Sequence, residues 1–399
     1  MPSRLDKRHK LTLASCCGVH SLQDGLSAAI YVLLPILAQS FGLSYSQVGI
    51  VRAANISAMM LFEIPSGMLS ERIGERSLLV FGLVCAGLGY LSLAAATGFM
   101  TILLALFVSG FGAAFQHALS SSVISKTFQA SGRRTALGAY NSSGDVGKLV
   151  FTGLLSLAIG MGVAWQGVVT GFGLLALISA VGLFAILRQL DVGSRPLPDG
   201  REEKTSGEFD WGVRDRRAFT ALAVIVFLDI AVQGGFLTFV AFLMIEKEVP
   251  TGLAALAVVL TLAGGIFGKF GCGLLADRVG VIRSLIVVEC LTAAGIVSVL
   301  LSPAMVAFFL LPVLGLVLQG SSSITYATVG DLVRGERQSR GFAAIYSIAS
   351  GGAILAPIAF GVISDRFGLT TTMVTMACTV LLLLPLCTLL RPTLARRYA

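Results

Sequence analysis

Asp24 stands in the middle of a long apolar run, CCGVHSLQDGLSAAIYVLLPIL, with His20 four residues before it and Tyr31 seven after. On a helix these side chains share one face. An acid and an imidazole so placed can hold and release a proton, but they supply no nucleophile. Asp229 occupies a similar run, with Gln233 one turn on. A third run carries Asn141, Asp145, Lys148 and Thr152 at steps of four, three and four, which is one polar stripe on an apolar helix. Two more runs offer hydrogen-bonding groups: Gln116, His117, Ser120 and Ser121, then Gln319, Ser322, Ser323 and Tyr326. These either line a cavity or join helices.

The runs themselves set the class of protein. Of 399 residues, 55% are hydrophobic and 13% charged, and the mean hydropathy is +0.88. A soluble domain carries about 25% charged residues. A spanning helix needs about 20 mostly apolar residues. Twelve windows qualify, near 12–38, 46–69, 77–97, 101–127, 136–160, 164–187, 218–244, 251–276, 283–301, 304–329, 341–363 and 369–390. The expected fold class is therefore an all-α membrane protein with twelve transmembrane helices. The first run follows a basic start (Arg4, Lys7, Arg8, Lys10) like a signal peptide, but its length and Asp24 mark it as a retained helix.

Charge gives an orientation. Of 29 Lys and Arg, only Lys247 and Arg366 fall in loops that an N-inside arrangement places outside. Both termini are expected in the cytoplasm of a bacterial-type inner membrane. The net charge of +8 then reads as a topology signal, with anionic lipids as neighbours and no nucleic-acid partner. The polar stretch 189–217, rich in charge and holding Pro196 and Pro198, reads as a cytoplasmic linker between helical bundles at 1–188 and 218–399. The seven cysteines lie in apolar runs with no metal spacing and read as reduced packing residues. There is no phosphate-binding G-x4-G-K-[ST] loop and no hydrolase motif, so no enzyme activity, cofactor or metal is expected.

A charge at the bilayer centre costs about 2.5–3.5 kcal/mol on insertion scales. The buried acids and bases must therefore face a cavity, pair, or reach an interface. Asp24 either exchanges a proton with a cavity or holds its helix by a permanent hydrogen bond; Asp229 has the same two readings. Asp145 and Lys148 either pair permanently or open so that Lys148 meets an anionic group. Arg52 lies near the outer end of its run and is expected to snorkel. Glu289 is expected to reach the cytoplasmic interface or Arg283.

The halves resemble each other at an offset near 206. Gly67-Met-Leu-Ser-Glu-Arg-Ile-Gly74 corresponds to Gly273-Leu-Leu-Ala-Asp-Arg-Val-Gly280, Tyr140 to Tyr346, Glu63 to Lys269, and Asp24 falls one residue from Asp229. Four matches in one order indicate two pseudo-symmetric six-helix bundles.

The motif from Gly67 through Glu71, Arg72 and Gly74 to Arg76 resembles the G-x-L-a-D-r-x-G-r-r loop of the major facilitator superfamily. Its second copy, with Asp277 and Arg278, is closer to pattern. Glu71 keeps the acid, whereas Glu75 reverses a charge. Gly138 and Gly147 match half of the family's helix-5 antiporter pattern, with Phe151 and Thr152 replacing its Gly-Pro. The stretch Asp24, Tyr31–Pro35 and Phe41–Gly49 is similar to drug/proton antiporters of the fosmidomycin-resistance type.

The resemblance implies a central cavity lined by helices 1, 4, 7 and 10, and gating by the two loop motifs with Glu63 and Lys269. The expected function is secondary active transport of a small molecule by a monomer, with protons as coupling ion and efflux of a drug-like compound as the leading direction. Proton-coupled uptake of a small organic anion and a transport-inactive membrane receptor are the alternatives.

Overall fold

The computed structural model describes residues 4–128, 130–194, 213–334 and 338–390, and among these every regular element is a helix. The linker expected at 189–217 falls largely outside them. The chain forms two compact units, one from residues 1–42 and 54–202, the other from 43–53 and 203–399.

In the first unit α1 (Arg4–Phe41) packs most extensively on α6 (Ala130–Gly160). The helix α3 (Glu75–Ala94) packs on α4 (Phe99–Ala113) and α7 (Trp165–Gln189), and α5 (His117–Thr127) touches α1, α3 and α6. Most of α2 (Tyr45–Ile73) also belongs to this unit. In the second unit α8 (Arg216–Glu246) packs on α13 (Gln338–Leu381), and α10 (Leu256–Val279) on α12 (Ala304–Leu332). The short α9 (Thr251–Ala254) precedes α10, while α11 (Val281–Leu301) and α14 (Leu383–Leu389) complete the unit.

Ten stretches among the described residues are long and apolar enough to cross a membrane. Three differences from the twelve expected windows have physical causes. The helix α6 is not among the ten, because the polar stripe and the basic residues at its start dilute its apolar content. The windows 341–363 and 369–390 are covered by one stretch with a break at Gly368, whose φ of 82° and ψ of 162° leave the helical region. The window 101–127 is interrupted at residues 114–116 by a turn, so α5 begins at His117. Large apolar side chains on the outer helix faces are bare: Ile64 and Phe267 are 72% exposed, Phe309 75% and Leu301 77%. Such a surface suits lipid rather than water.

Glycines stand at close backbone approaches in both units. The carbonyl oxygen of Ser21 lies 2.0 Å from where a Cβ on Gly147 would stand, and that of Phe227 lies 2.5 Å from the same point on Gly352. Gly110 meets the Asn55 carbonyl, and Gly315 the Thr261 carbonyl, each at 2.0 Å. Small residues are what allow helix backbones to approach this closely. The motif glycines match in conformation as well. Gly74 has φ 92° and ψ 152°, Gly280 φ 92° and ψ 150°. Each donates its N–H four residues back, to Ser70 and Ala276, and then turns the chain into the next helix.

That conformation is essentially restricted to glycine and costs another residue about 1–3 kcal/mol. Gly74→Ala and Gly280→Ala are each expected to lower stability by that amount. Gly67→Ala, whose Cβ would enter open space, should leave stability unchanged or raise it by up to about 1 kcal/mol. Thermal unfolding of the three variants in one detergent checks the contrast.

Candidate functional site

In the first unit, α1, α5 and α6 bring their polar residues to a single cluster around Asp24. The Lys148 ammonium lies 3.1 Å from Asp24 Oδ2 and 3.1 Å from Asp145 Oδ1, so one cation serves two carboxylates. His20 Nε2 lies 3.4 Å from Asp24 Oδ2, and His117 Nε2 lies 3.5 Å from Oδ1. Tyr140 organises the surroundings. Its ring stacks on His20 at 4.2 Å, its carbonyl is 2.7 Å from His20 Nδ1, and its hydroxyl accepts from Gln116 Nε2 at 2.8 Å. Ser21 Oγ donates to the Ser143 carbonyl, and Ser143 Oγ to those of Tyr140 and Cys17, which ties α1 to α6.

The local sequence explains this convergence. Gly144 and Gly147 remove the side chains that would separate α6 from α1; a Cβ on Gly144 would strike His20 Nε2 and Asp24 Oδ2. The break at 114–116 places Gln116 and His117 at the start of α5 rather than inside a continuous helix.

The His20 contact has a chemical consequence. A carbonyl only accepts, so Nδ1 carries the hydrogen in the bond to Tyr140, and Nε2 of the neutral ring turns a lone pair toward Asp24. A hydrogen bond between Nε2 and the Asp24 carboxyl needs one proton between them. The ligand atoms of His20, Asp24 and His117 also lie within 4.8 Å of one another, a set that can hold a cation; the cation seated at Asp24 here is the Lys148 ammonium.

The second unit has a smaller counterpart. Asp229 is buried, accepts from Ser321 Oγ at 2.9 Å on both oxygens, and accepts from Gln233 Nε2 at 3.1 Å. Ser321 was not among the residues expected from sequence. Its neighbours Ser322 and Ser323 turn their hydroxyls onto carbonyls of their own helix. The signal for Ser321 was its register with Leu314, Leu318, Thr325 and Thr328, all buried on one face of α12. Tyr326 stacks on Tyr346 at 4.8 Å, and Gln319 Nε2 is buried without a hydrogen-bond partner.

Other expected residues scatter. Asn141 is exposed, and Thr152 Oγ1 bonds back to the Lys148 carbonyl, so only the middle of the stripe on α6 joins the cluster. Tyr31 is buried. Arg52 does not snorkel: it is buried at 6% exposure. Glu289 reaches neither the interface nor Arg283; it is 1% exposed, because its helix turns that face into the second unit's core.

Among the motif residues, Glu71, Arg72, Asp277 and Arg278 are exposed, while Glu63, Arg76 and Lys269 are half-buried. No ion pair joins Glu63 among the described residues. Glu75, which departs from the family pattern, is buried at the start of α3, where it pairs with Lys126 and accepts from Ser122 Oγ at 2.9 Å. Gly67 and Gly273 stand in open or ordinary van der Waals surroundings. A cavity of about 380 Å³ opens between α1, α6 and α7, beside Gly18, Leu22, Phe151 and Gly182, but neither Asp24 nor Lys148 lines it.

Comparison with known proteins places these features in a family. The sequence pattern of the Major Facilitator Superfamily matches residues 16–328 and again residues 222–398. The chain is 29% identical over 376 residues to YfnC of Bacillus subtilis (strain 168), an uncharacterized MFS-type transporter, covering 90% of this chain and 87% of that one. A class G tetracycline resistance protein of Vibrio anguillarum is 37% identical over 124 residues, which is 30% of this chain and 31% of that protein. Among solved structures, a bacterial homologue of the human lysosomal transporter Spinster superposes with a TM-score of 0.82 at 16% identity, covering 98% of both chains. The nucleoside transporter NupG gives 0.77 at 12% identity, over 95% of this chain and all of the other. This chain is a multi-pass membrane transporter and belongs to the major facilitator superfamily.

Proposed function

We propose that the protein is a proton-coupled secondary transporter that expels a small drug-like compound or metabolite by alternating access, with Asp24 as the coupling carboxylate. The observation that carries this reading is the Asp24 cluster. One carboxylate faces Lys148, His20 and His117, with Tyr140 behind His20 and Asp145 as the second partner of Lys148. When Asp24 is ionised, Lys148 bridges the two acids. When Asp24 takes a proton, the ammonium loses one partner and keeps the other, so the change is local and reversible. A coupling group needs two such states that favour different conformations or occupancies.

The name of the tetracycline-resistance relative supports efflux as the direction. The Lys148 ammonium supports a second reading, uptake of a small organic anion together with a proton. The functional molecule in either case is a monomer with both termini in the cytoplasm. Twelve spans in two six-helix halves follow if α4 and α5 count as one, α9 and α10 as one, α6 as one, and the chain is divided at Gly368. The paired glycines 147/352, 110/315 and 74/280 support that division. The exposed motif residues around Gly74 and Gly280, with Glu63 and Lys269, are the proposed gate. Asp229 is the proposed coupling candidate of the second half, and Gln233, Gln319, Ser323 and Tyr326 are its proposed cavity groups.

Purified protein in liposomes, with an internal pH dye and an imposed proton gradient, tests the reading against a panel of antibiotics and organic anions that includes tetracycline. Compound-dependent proton movement is the expected result, and its sign separates antiport from symport. Asp24→Asn should reduce gradient-driven flux at least tenfold while substrate exchange across the membrane persists; proton movement of wild-type size in that variant overturns the assignment.

Removing one partner of a fully buried charge pair costs about 3–5 kcal/mol. Lys148 is 33% exposed, so Lys148→Gln, which leaves two acids without their shared cation, is expected to destabilise by less, about 1–3 kcal/mol. Asp24→Asn should cost clearly less, because Lys148 retains Asp145. Unfolding of both variants and of the double variant in detergent checks the order.

A further inference from the structure

The Asp24 cluster offers a second kind of chemistry besides proton exchange. One ligand atom from each of His20, Asp24 and His117 lies within 4.8 Å of the other two. His20 Nε2 is 3.4 Å from Asp24 Oδ2, and His117 Nε2 is 3.5 Å from Oδ1. Tetrahedral zinc with bonds of about 2.1 Å holds its ligand atoms about 3.4 Å apart. Each imidazole thus stands from the carboxylate at the spacing that a shared metal ion sets. The sequence does not reveal this set, because His20 and Asp24 lie one turn apart on α1 while His117 comes from α5.

The surroundings suit ligation. An imidazole that binds a metal donates its other N–H to a carbonyl or carboxylate, which fixes the tautomer and aims the lone pair. His20 is held in that way. Its Nδ1 meets the Tyr140 carbonyl at 2.7 Å, the Tyr140 ring stacks on it, and Nε2 faces Asp24. The His117 side chain is 37% exposed, against 6% for His20 and 13% for Asp24, so the set is reached from the α5 side. The Lys148 ammonium stands 3.1 Å from both Asp24 and Asp145. Released from Asp24, it still has Asp145, so an incoming cation strands no charge.

We propose that His20, Asp24 and His117 form a binding site for a divalent transition-metal ion of the zinc type, which enters past His117 and takes the place of the Lys148 ammonium at Asp24. Two imidazoles and one carboxylate suit Zn2+, Co2+ and Ni2+, whereas Mg2+ and Ca2+ take sets of oxygen ligands. Three protein ligands leave a fourth position for water. No covalent bond breaks and no electron moves; the ammonium shifts onto Asp145 alone. The site stands apart from the proton-coupled reading but shares Asp24 with it, so a bound ion holds the coupling carboxylate out of use.

Cobalt(II) reads this directly, because a four-coordinate Co2+ ion absorbs visible light far more strongly than the hydrated ion. Full-length protein in detergent, carrying no affinity tag, should develop this absorption on titration with Co2+ and saturate at one ion per chain. Zn2+ should bleach it, and a large excess of Mg2+ should not. His117→Ala, at the exposed member of the set, should weaken binding at least tenfold. Lys148→Gln should tighten it at least tenfold, because the competing ammonium is gone. The wild type alone also carries a test: Zn2+ should raise its melting temperature, since an ion that binds only the folded state stabilises it, and Mg2+ should not.

No saturable absorption and no shift in melting would overturn the proposal. So would binding of undiminished strength in His117→Ala, which would place the ion elsewhere, or weaker binding in Lys148→Gln, which would show that the ion does not replace the ammonium. If the wild type moves no protons with any compound, the coupling reading fails by itself, while the cobalt spectrum still decides the metal site.

Discussion

The polar chemistry of the first unit depends on how closely two helices approach. Ser21 sets its carbonyl where a side chain at residue 147 would stand, and His20 and Asp24 occupy the space a side chain at 144 would need. Only glycine permits this. With α1 and α6 at backbone contact, Lys148 reaches Asp24, and the serine hydroxyls of the two helices bond across the seam. The packing supplies little hydrophobic driving force, since lipid is as apolar as leucine. Close van der Waals contact and hydrogen bonds between helices are what remain. The site and the packing are thus one arrangement: the glycines that hold the helices together also bring the charges within reach.

The second unit repeats the packing and changes the chemistry. Gly352 meets the Phe227 carbonyl as Gly147 meets that of Ser21, so α8 and α13 close in the same manner as α1 and α6. The acid on α8 then finds hydroxyl and amide donors in place of an ammonium and two imidazoles. The backbone approach is alike in the two units, and the side chains around it differ. Charged partners surround the carboxyl of the first unit, and neutral donors that of the second.

Much of this was legible in the sequence, for reasons that can be stated. Acids and bases deep in apolar runs are expensive, so Asp24, Asp145, Lys148 and Asp229 announced themselves; that Lys148 meets Asp24 as well as Asp145 was not among the expectations, because it depends on how closely α1 and α6 approach. The loop motif was visible because Gly74 and Gly280 need a backbone that other residues avoid. What escaped was set by tertiary contact. The turn at 114–116 leaves no mark in hydropathy, since Ala114 and Phe115 suit a continuous helix as well. Ser321 was hidden behind two neighbouring serines of identical chemistry, and only helical register tells them apart. Arg52 and Glu289 were assigned to interfaces because burying them is costly; whether a helix turns such a residue outward or inward is decided by its neighbours, not by its own segment.

The composition of α6 bears on how the protein is made. This helix carries Asp145 and Lys148 and is not among the stretches apolar enough to cross a membrane by length and composition. Its lysine and aspartate stand three residues apart and pair on the helix itself, which presents them to the bilayer as a dipole rather than as two ions. The chain is synthesised from its N-terminus, so α1, with Asp24 ready to receive the same lysine, is in the membrane first. For a spanning α6, contact with α1 offsets its low apolar content, so the contacts that build the Asp24 cluster also hold that helix in the bilayer.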